Sequence, residues 1–112
     1  MKKPIPPPAH LSREARKLWR DLTETYVFDD PGAIAILGSA LESFDRCHEA
    51  RKILSTEGLS VKDRFGVPRV HPLCAVARDA EAAFRSAMRQ LGIGADSQPT
   101  RSPGRPTASR LM

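Results

Sequence analysis

Residues 29–58 read DDPGAIAILGSALESFDRCHEARKILSTEG, and this stretch decides the fold. Asp29 and Asp30 offer acceptors to the free amides of a helix N-terminus, and Pro31 suits the first helical position because its fixed φ and missing N–H cost nothing there. No further proline intervenes before Gly58, so a helix from about 31 to 57 is predicted, weakened only at Gly38. At a rise of about 1.5 Å per residue it is roughly 40 Å long. Its apolar residues, from Ala33 and Ile34 to Ala50 and Leu54, cover an arc of about 200°, wider than the stripe of about 100° a surface helix needs for one core. A helix apolar on two sides needs two neighbours. One face is therefore assigned to another subunit, with Ile34, Ile36, Leu37, Leu41 and Phe44 as the oligomer contacts.

On the C-terminal side, Leu73, Val76, Ala77, Ala80, Phe84, Ala87, Met88 and Leu91 keep an i, i+3, i+4, i+7 spacing. This predicts a helix opened by His71-Pro72, with proline at its first position, and closed by Leu91-Gly92. It is expected to return antiparallel along the long helix. Between the two, Leu59–Lys62 and Val67–Val70 flank Asp63-Arg64-Phe65-Gly66, which reads as a small hairpin or extended loop. Pro68 lacks a ladder donor, so any second strand there is an edge strand.

On the N-terminal side, Ser12 is a candidate N-cap for a helix of residues 12 to about 27, with Ala15, Leu18, Trp19, Leu22 and Tyr26 on one face. Arg13, Arg16, Lys17 and Arg20 fall on the other. That basic stripe is either a solvated face or a nucleic-acid contact, and Lys62, Arg64 and Arg69 make the connector basic too. The fold class is thus all-α: a first helix plus a long antiparallel helical hairpin with a short β-like connector, and disordered basic tails.

The charge distribution fits that division. The 112 residues carry a net charge of +5. Residues 1–11 contribute +2 from Lys2 and Lys3, residues 93–112 contribute +2 from Arg101, Arg105 and Arg110 against Asp96, and residues 12–92 contribute only +1. The two ends also hold seven of the ten prolines, so they read as an extended N-terminal arm and a disordered C-terminal tail around a helical oligomerisation and DNA-interaction domain of residues 12–92. No apolar run approaches a membrane span, and the N-terminus has lysines but no apolar signal region, so a reducing cytoplasm is expected.

No catalytic motif is present. A phosphate-binding Gly-x-x-x-x-Gly-Lys-Ser/Thr loop, a nucleophile elbow and a His-Glu-x-x-His helix are all missing from the sequence. Cys47, His48, His71 and Cys74 could in principle supply two sulfurs and two nitrogens to zinc, but adjacent helical residues point about 100° apart and seldom chelate together. Structural roles account for all four, so no metal and no cofactor is predicted. A helix-turn-helix reading fails on Gly32-Ala33-Ile34-Ala35-Ile36-Leu37, because a recognition helix needs polar and basic side chains near its start.

The order of elements resembles the small subunit of tailed-phage terminases, from about Pro8 to Gly94. The residues that carry the resemblance are Pro8-Ala9-His10-Leu11-Ser12 leading to Ala15 and Trp19, Asp29-Asp30, Glu57-Gly58-Leu59, Gly66 followed by His71-Pro72, and Leu91-Gly92-Ile93. What the resemblance implies is a non-enzymatic DNA-packaging protein of the host-cell cytoplasm, one that binds double-stranded viral DNA, assembles as a homo-oligomeric ring and recruits the large ATPase/nuclease subunit. The chain departs from the family pattern after Ile93, where Gly94–Pro99 replaces the usual Thr-Pro with its nearby Arg. Two other readings remain at this point, a small helical DNA-binding regulator and a structural oligomeric adaptor.

Overall fold

A computed structural model describes residues 4–94 of the chain. Three helices and one small sheet follow in the order α1 (Arg13–Thr25), α2 (Pro31–Glu57), β1 (Ser60–Lys62), β2 (Pro68–Val70) and α3 (Leu73–Gln90). The mostly helical expectation holds, with a two-stranded antiparallel sheet as the connector; Ser60 pairs with Val70, Val61 with Arg69 and Lys62 with Pro68.

The element ends follow local chemistry. Ser12 caps α1, its side chain accepting from the Ala15 amide, and Asp30 caps α2 by accepting from the Gly32 amide. α1 ends at Thr25, two residues earlier than predicted. Pro72 stands just before α3 rather than at its first position. His71 does the capping there: its Nδ1 accepts the Leu73 amide at 3.1 Å and its carbonyl accepts the Cys74 amide at 3.0 Å. At the far end of α3, Gly92 takes a left-handed φ of 74°. That turn lets the Gly92 amide reach the Arg89 carbonyl and the Ile93 amide reach the Met88 carbonyl, a Schellman closure.

The helical hairpin is antiparallel, because contacts between α2 and α3 run in opposite order. Near the connector Leu54 and Ala50 pack with Ala77. Further along, Arg51 pairs with Glu81 and Phe44 lies against Phe84 with ring centroids 5.7 Å apart. At the other end, Leu91 joins Leu37 and Leu41 in the main core.

The structure corrects the assignment of Leu37 and Leu41 to an oligomer interface. Both are fully buried inside the chain's own core, with no exposed surface to offer a neighbour. The wide apolar arc of α2 is consumed within the chain, with α1 along one side and α3 along the other. Ile34, Ile36 and Phe44 are half-buried and pack against the same core.

The N-terminal arm lies against the helices. Its described part, residues 4–11, is held on the domain. The Trp19 indole N–H donates to the Ile5 carbonyl at 2.8 Å, Ile5 packs on the core and Leu11 is buried within it. Lys2, Lys3 and the predicted basic tail beyond Gly94 lie outside the described residues, whereas Ile93 still packs on the core.

Candidate functional site

Three surface features gather the residues singled out from the sequence: the outer face of α1, the β1–β2 connector, and a groove between them. The first is positioned from below. Asp45 of α2 accepts the Ser12 amide at 2.8 Å and also the Ser12 hydroxyl, which pins the start of α1. With Ala15 and Trp19 buried on α2, the opposite face turns outward: Arg13, Lys17 and Arg20 are exposed and Arg16 is half-buried. Lys17 lies 3.6 Å from Asp21, and exposed Glu14 and Glu24 on the same helix also partly neutralise the stripe.

The connector is tied into a fixed turn by Asp63. Its Oδ1 accepts the Phe65 amide at 2.8 Å and the Val67 amide at 3.0 Å, and its Oδ2 accepts Nε of Arg69 at 3.1 Å. The Val67 amide, then the Phe65 amide and Arg69, hold the Asp63 carboxyl below the usual carboxylate range against the opposing effect of desolvation. Gly66 supplies the positive φ of 76° that closes the turn. Lys62, Arg64 and Arg69 are all exposed, and the Arg64 guanidinium sits 5.0 Å from the Phe65 ring centroid.

Sequence reasoning missed what surrounds those cations. The exposed large hydrophobic side chains among the described residues are Leu59, Phe65, Val67 and Val70, and all four belong to the connector. Phe65 and Val70 are 76% and 75% exposed, so neither face of the small sheet is fully covered. The available signal was the apolar content of a segment too short to fold over on itself.

The two basic sets do not form one patch. Ser12 meets α2 at Asp45, while the connector begins after Glu57, twelve residues or about 18 Å further along the helix. Between them runs a groove of about 1130 Å³ along the outer side of α2. Its carboxylates are Glu14, Glu42, Asp45, Glu49 and Glu57, against Arg46 and Lys52, with Phe44 and Ile53 in its floor.

The buried polar residues have structural partners. His71 accepts the Leu73 amide at Nδ1, so its proton resides on Nε2, which donates to Glu57 at 2.9 Å. Cys47 is buried, Cys74 half-buried, and His48 bonds the Phe44 carbonyl. Among the described residues no group of three or more His, Cys, Asp and Glu is gathered to hold a metal ion. No described helix is long and apolar enough to cross a membrane.

Comparison of this chain with protein-family models, with curated proteins and with solved structures finds no match.

Proposed function

We propose that this chain is a tailed-phage terminase small subunit, a non-enzymatic protein of the host-cell cytoplasm that binds viral DNA, assembles with copies of itself and recruits the large ATPase/nuclease subunit. The observation that carries the DNA-binding part is the α1 face, where Arg13, Lys17 and Arg20 stand exposed on a helix pinned at its start by Asp45. Contacts of this kind go to phosphates, so binding is weakly sequence-selective and strongly salt-dependent. The exposed start of α2 offers Pro31, Gly32, Ala35 and Ser39, with no charged side chain to reach base edges.

The resemblance residues supply the second support, because they sit at the joints of the fold. Ser12 and Asp30 are caps, Trp19 holds the arm, Gly58 and Gly92 end helices, Gly66 closes the turn and His71 opens α3.

Fluorescence anisotropy with duplex DNA over a salt series tests the reading. The double substitution Arg16→Glu with Arg20→Glu is expected to weaken binding and to flatten the slope of log K against log salt by about 1.8, the contribution of two phosphate contacts. Unchanged affinity and slope remove α1 from the DNA interface. A structural adaptor is the second reading, favoured by the four exposed apolar side chains of the connector. No salt-dependent DNA binding by the wild-type chain selects it.

A further inference from the structure

The connector asks for a protein partner more than for DNA. Phosphate contact needs cations alone, whereas Leu59, Phe65, Val67 and Val70 expose large apolar surface that a small domain ordinarily hides. An isolated two-stranded hairpin is also marginal in water, and this one has three residue pairs and no fully covered face. It is nonetheless pre-organised, because Asp63 ties both sides of the turn and Gly66 supplies its backbone geometry. Ordering a tip before it binds lowers the entropy lost on binding.

The complementary surface is on the same molecule. The α2 groove carries five carboxylates to two cations, whereas the connector has Lys62, Arg64 and Arg69 against Asp63 alone. Glu42, Asp45 and Glu57 already bond His10, Ser12 and His71. Glu14 and Glu49 have no such partner among the described residues. Among the described residues Lys62 is likewise free of a carboxylate, and Arg64 forms no ion pair but lies over the Phe65 ring. The dimensions agree as well: residues 42–57 of α2 span about 22 Å, and an extended segment from Leu59 to the Phe65 tip reaches about 20 Å. Half-buried Phe44 and Ile53 give the groove an apolar floor.

We infer that the β1–β2 connector of one chain docks into the acidic α2 groove of a second copy, Phe65 seated against Phe44 and Ile53 with Lys62 and Arg64 facing Glu49 and Glu14. Such a contact is heterologous: each copy presents a connector to one neighbour and a groove to another, the arrangement that closes into rings when the rotation permits. The inference deepens the self-assembly part of the proposed function and rests on it. Of the α2 positions first assigned to assembly it keeps only Phe44, and it occupies Lys62 and Arg64 in protein contact.

Size-exclusion chromatography with light scattering on the full chain tests both levels separately. The wild-type chain is expected to elute as a multimer of the 12.3 kDa subunit. A wild-type monomer at micromolar concentration overturns self-assembly, and the docking contact with it. Given a multimer, Phe65→Asp and the pair Glu14→Arg with Glu49→Arg are each expected to raise the concentration at half-assembly by at least about tenfold, the loss expected at a central aromatic or charged anchor. Glu14, Glu49 and Phe65 are all exposed, so each variant is expected to keep its helices, which circular dichroism checks. Mixing the two variants is the decisive arm. One keeps a sound groove and the other a sound connector, so together they should form a species of two chains that neither forms alone. A multimer that survives Phe65→Asp, a groove variant that still self-associates through its connector, or a mixture that stays monomeric overturns the docking contact while leaving self-assembly in place. Joining Arg64→Glu to Glu14→Arg in one chain should restore assembly lost by either change alone, and failure to do so counts against the assigned pairing.

Discussion

At the scale of single residues, Asp63 and His71 do more than their exposure suggests. Asp63 accepts three hydrogen bonds within one turn, and each favours its ionised form. Because its carboxyl titrates below the ordinary carboxylate range in the folded chain, the stabilisation is fully present above that ordinary range. It is lost as pH falls through the lowered value. Amide signals of Phe65 and Val67 followed by NMR should hold steady through neutral pH and shift together only under acid conditions, below the titration of an unperturbed aspartate. Movement of both amides at or above the ordinary aspartate range would show that the carboxylate does not hold the turn. Such ties were only partly legible in the sequence. An Asp three residues before a Gly is a turn signal, but the Arg69 contact depends on the strands having paired.

At the scale of elements, the joints are set by side chains within four residues of the helix ends. His71 is the clearest case, since Pro72 cannot offer a side-chain cap and the imidazole accepts the Leu73 amide in its place. His71→Ala removes that cap and the bond to Glu57, and is expected to cost about 1–2 kcal/mol in urea denaturation. His71→Asn, which can still accept at the cap, should recover part of the loss; equal destabilisation by the two substitutions would argue against a capping role. Between α2 and α3, the Arg51–Glu81 pair lowers the Glu81 carboxyl through its hydrogen bond, reinforced by the charges of Arg51 and Arg85. The tie therefore persists above the ordinary carboxylate range and weakens only as pH falls through the lowered value. Both side chains are substantially exposed, so it orients the two helices more than it stabilises them.

At the scale of the whole molecule, the decisive fact is that α2 spends its apolar arc inside the chain. Ala33, Leu37, Ala40, Leu41, Cys47, Ala50 and Leu54 are all buried. Leu41→Ala is therefore expected to lower stability by roughly 2–5 kcal/mol through the cavity it leaves. Under native conditions its mass by light scattering should match that of the wild-type chain. A change in assembly with intact stability would return Leu41 to a subunit interface. Alanine is frequent among the buried residues of this thin core, which lets α2 and α3 lie close while limiting the area each contact removes from water. The apolar surface the domain cannot hide is concentrated instead on the connector.

The sequence by itself determined where the elements lie. The bounds of α2, the Ser12 and Asp30 caps, the hairpin turn and the Gly92 closure are local events, decided by periodicity and by side chains a few residues from the backbone groups they satisfy. It also located the basic residues of α1 and the connector, the raw material of the candidate site. Only the tertiary structure decided which faces are covered. Whether the second apolar face of α2 meets α1 or another subunit depends on contacts such as Ser12 with Asp45, or Trp19 against Gly38, between residues far apart in the chain. The same holds for the arm, which composition reads as extended and which the Trp19 indole, the packing of Ile5 and the burial of Leu11 tie to the helices. Periodicity measures how much apolar surface an element offers, but only packing shows which part of that surface remains for a partner.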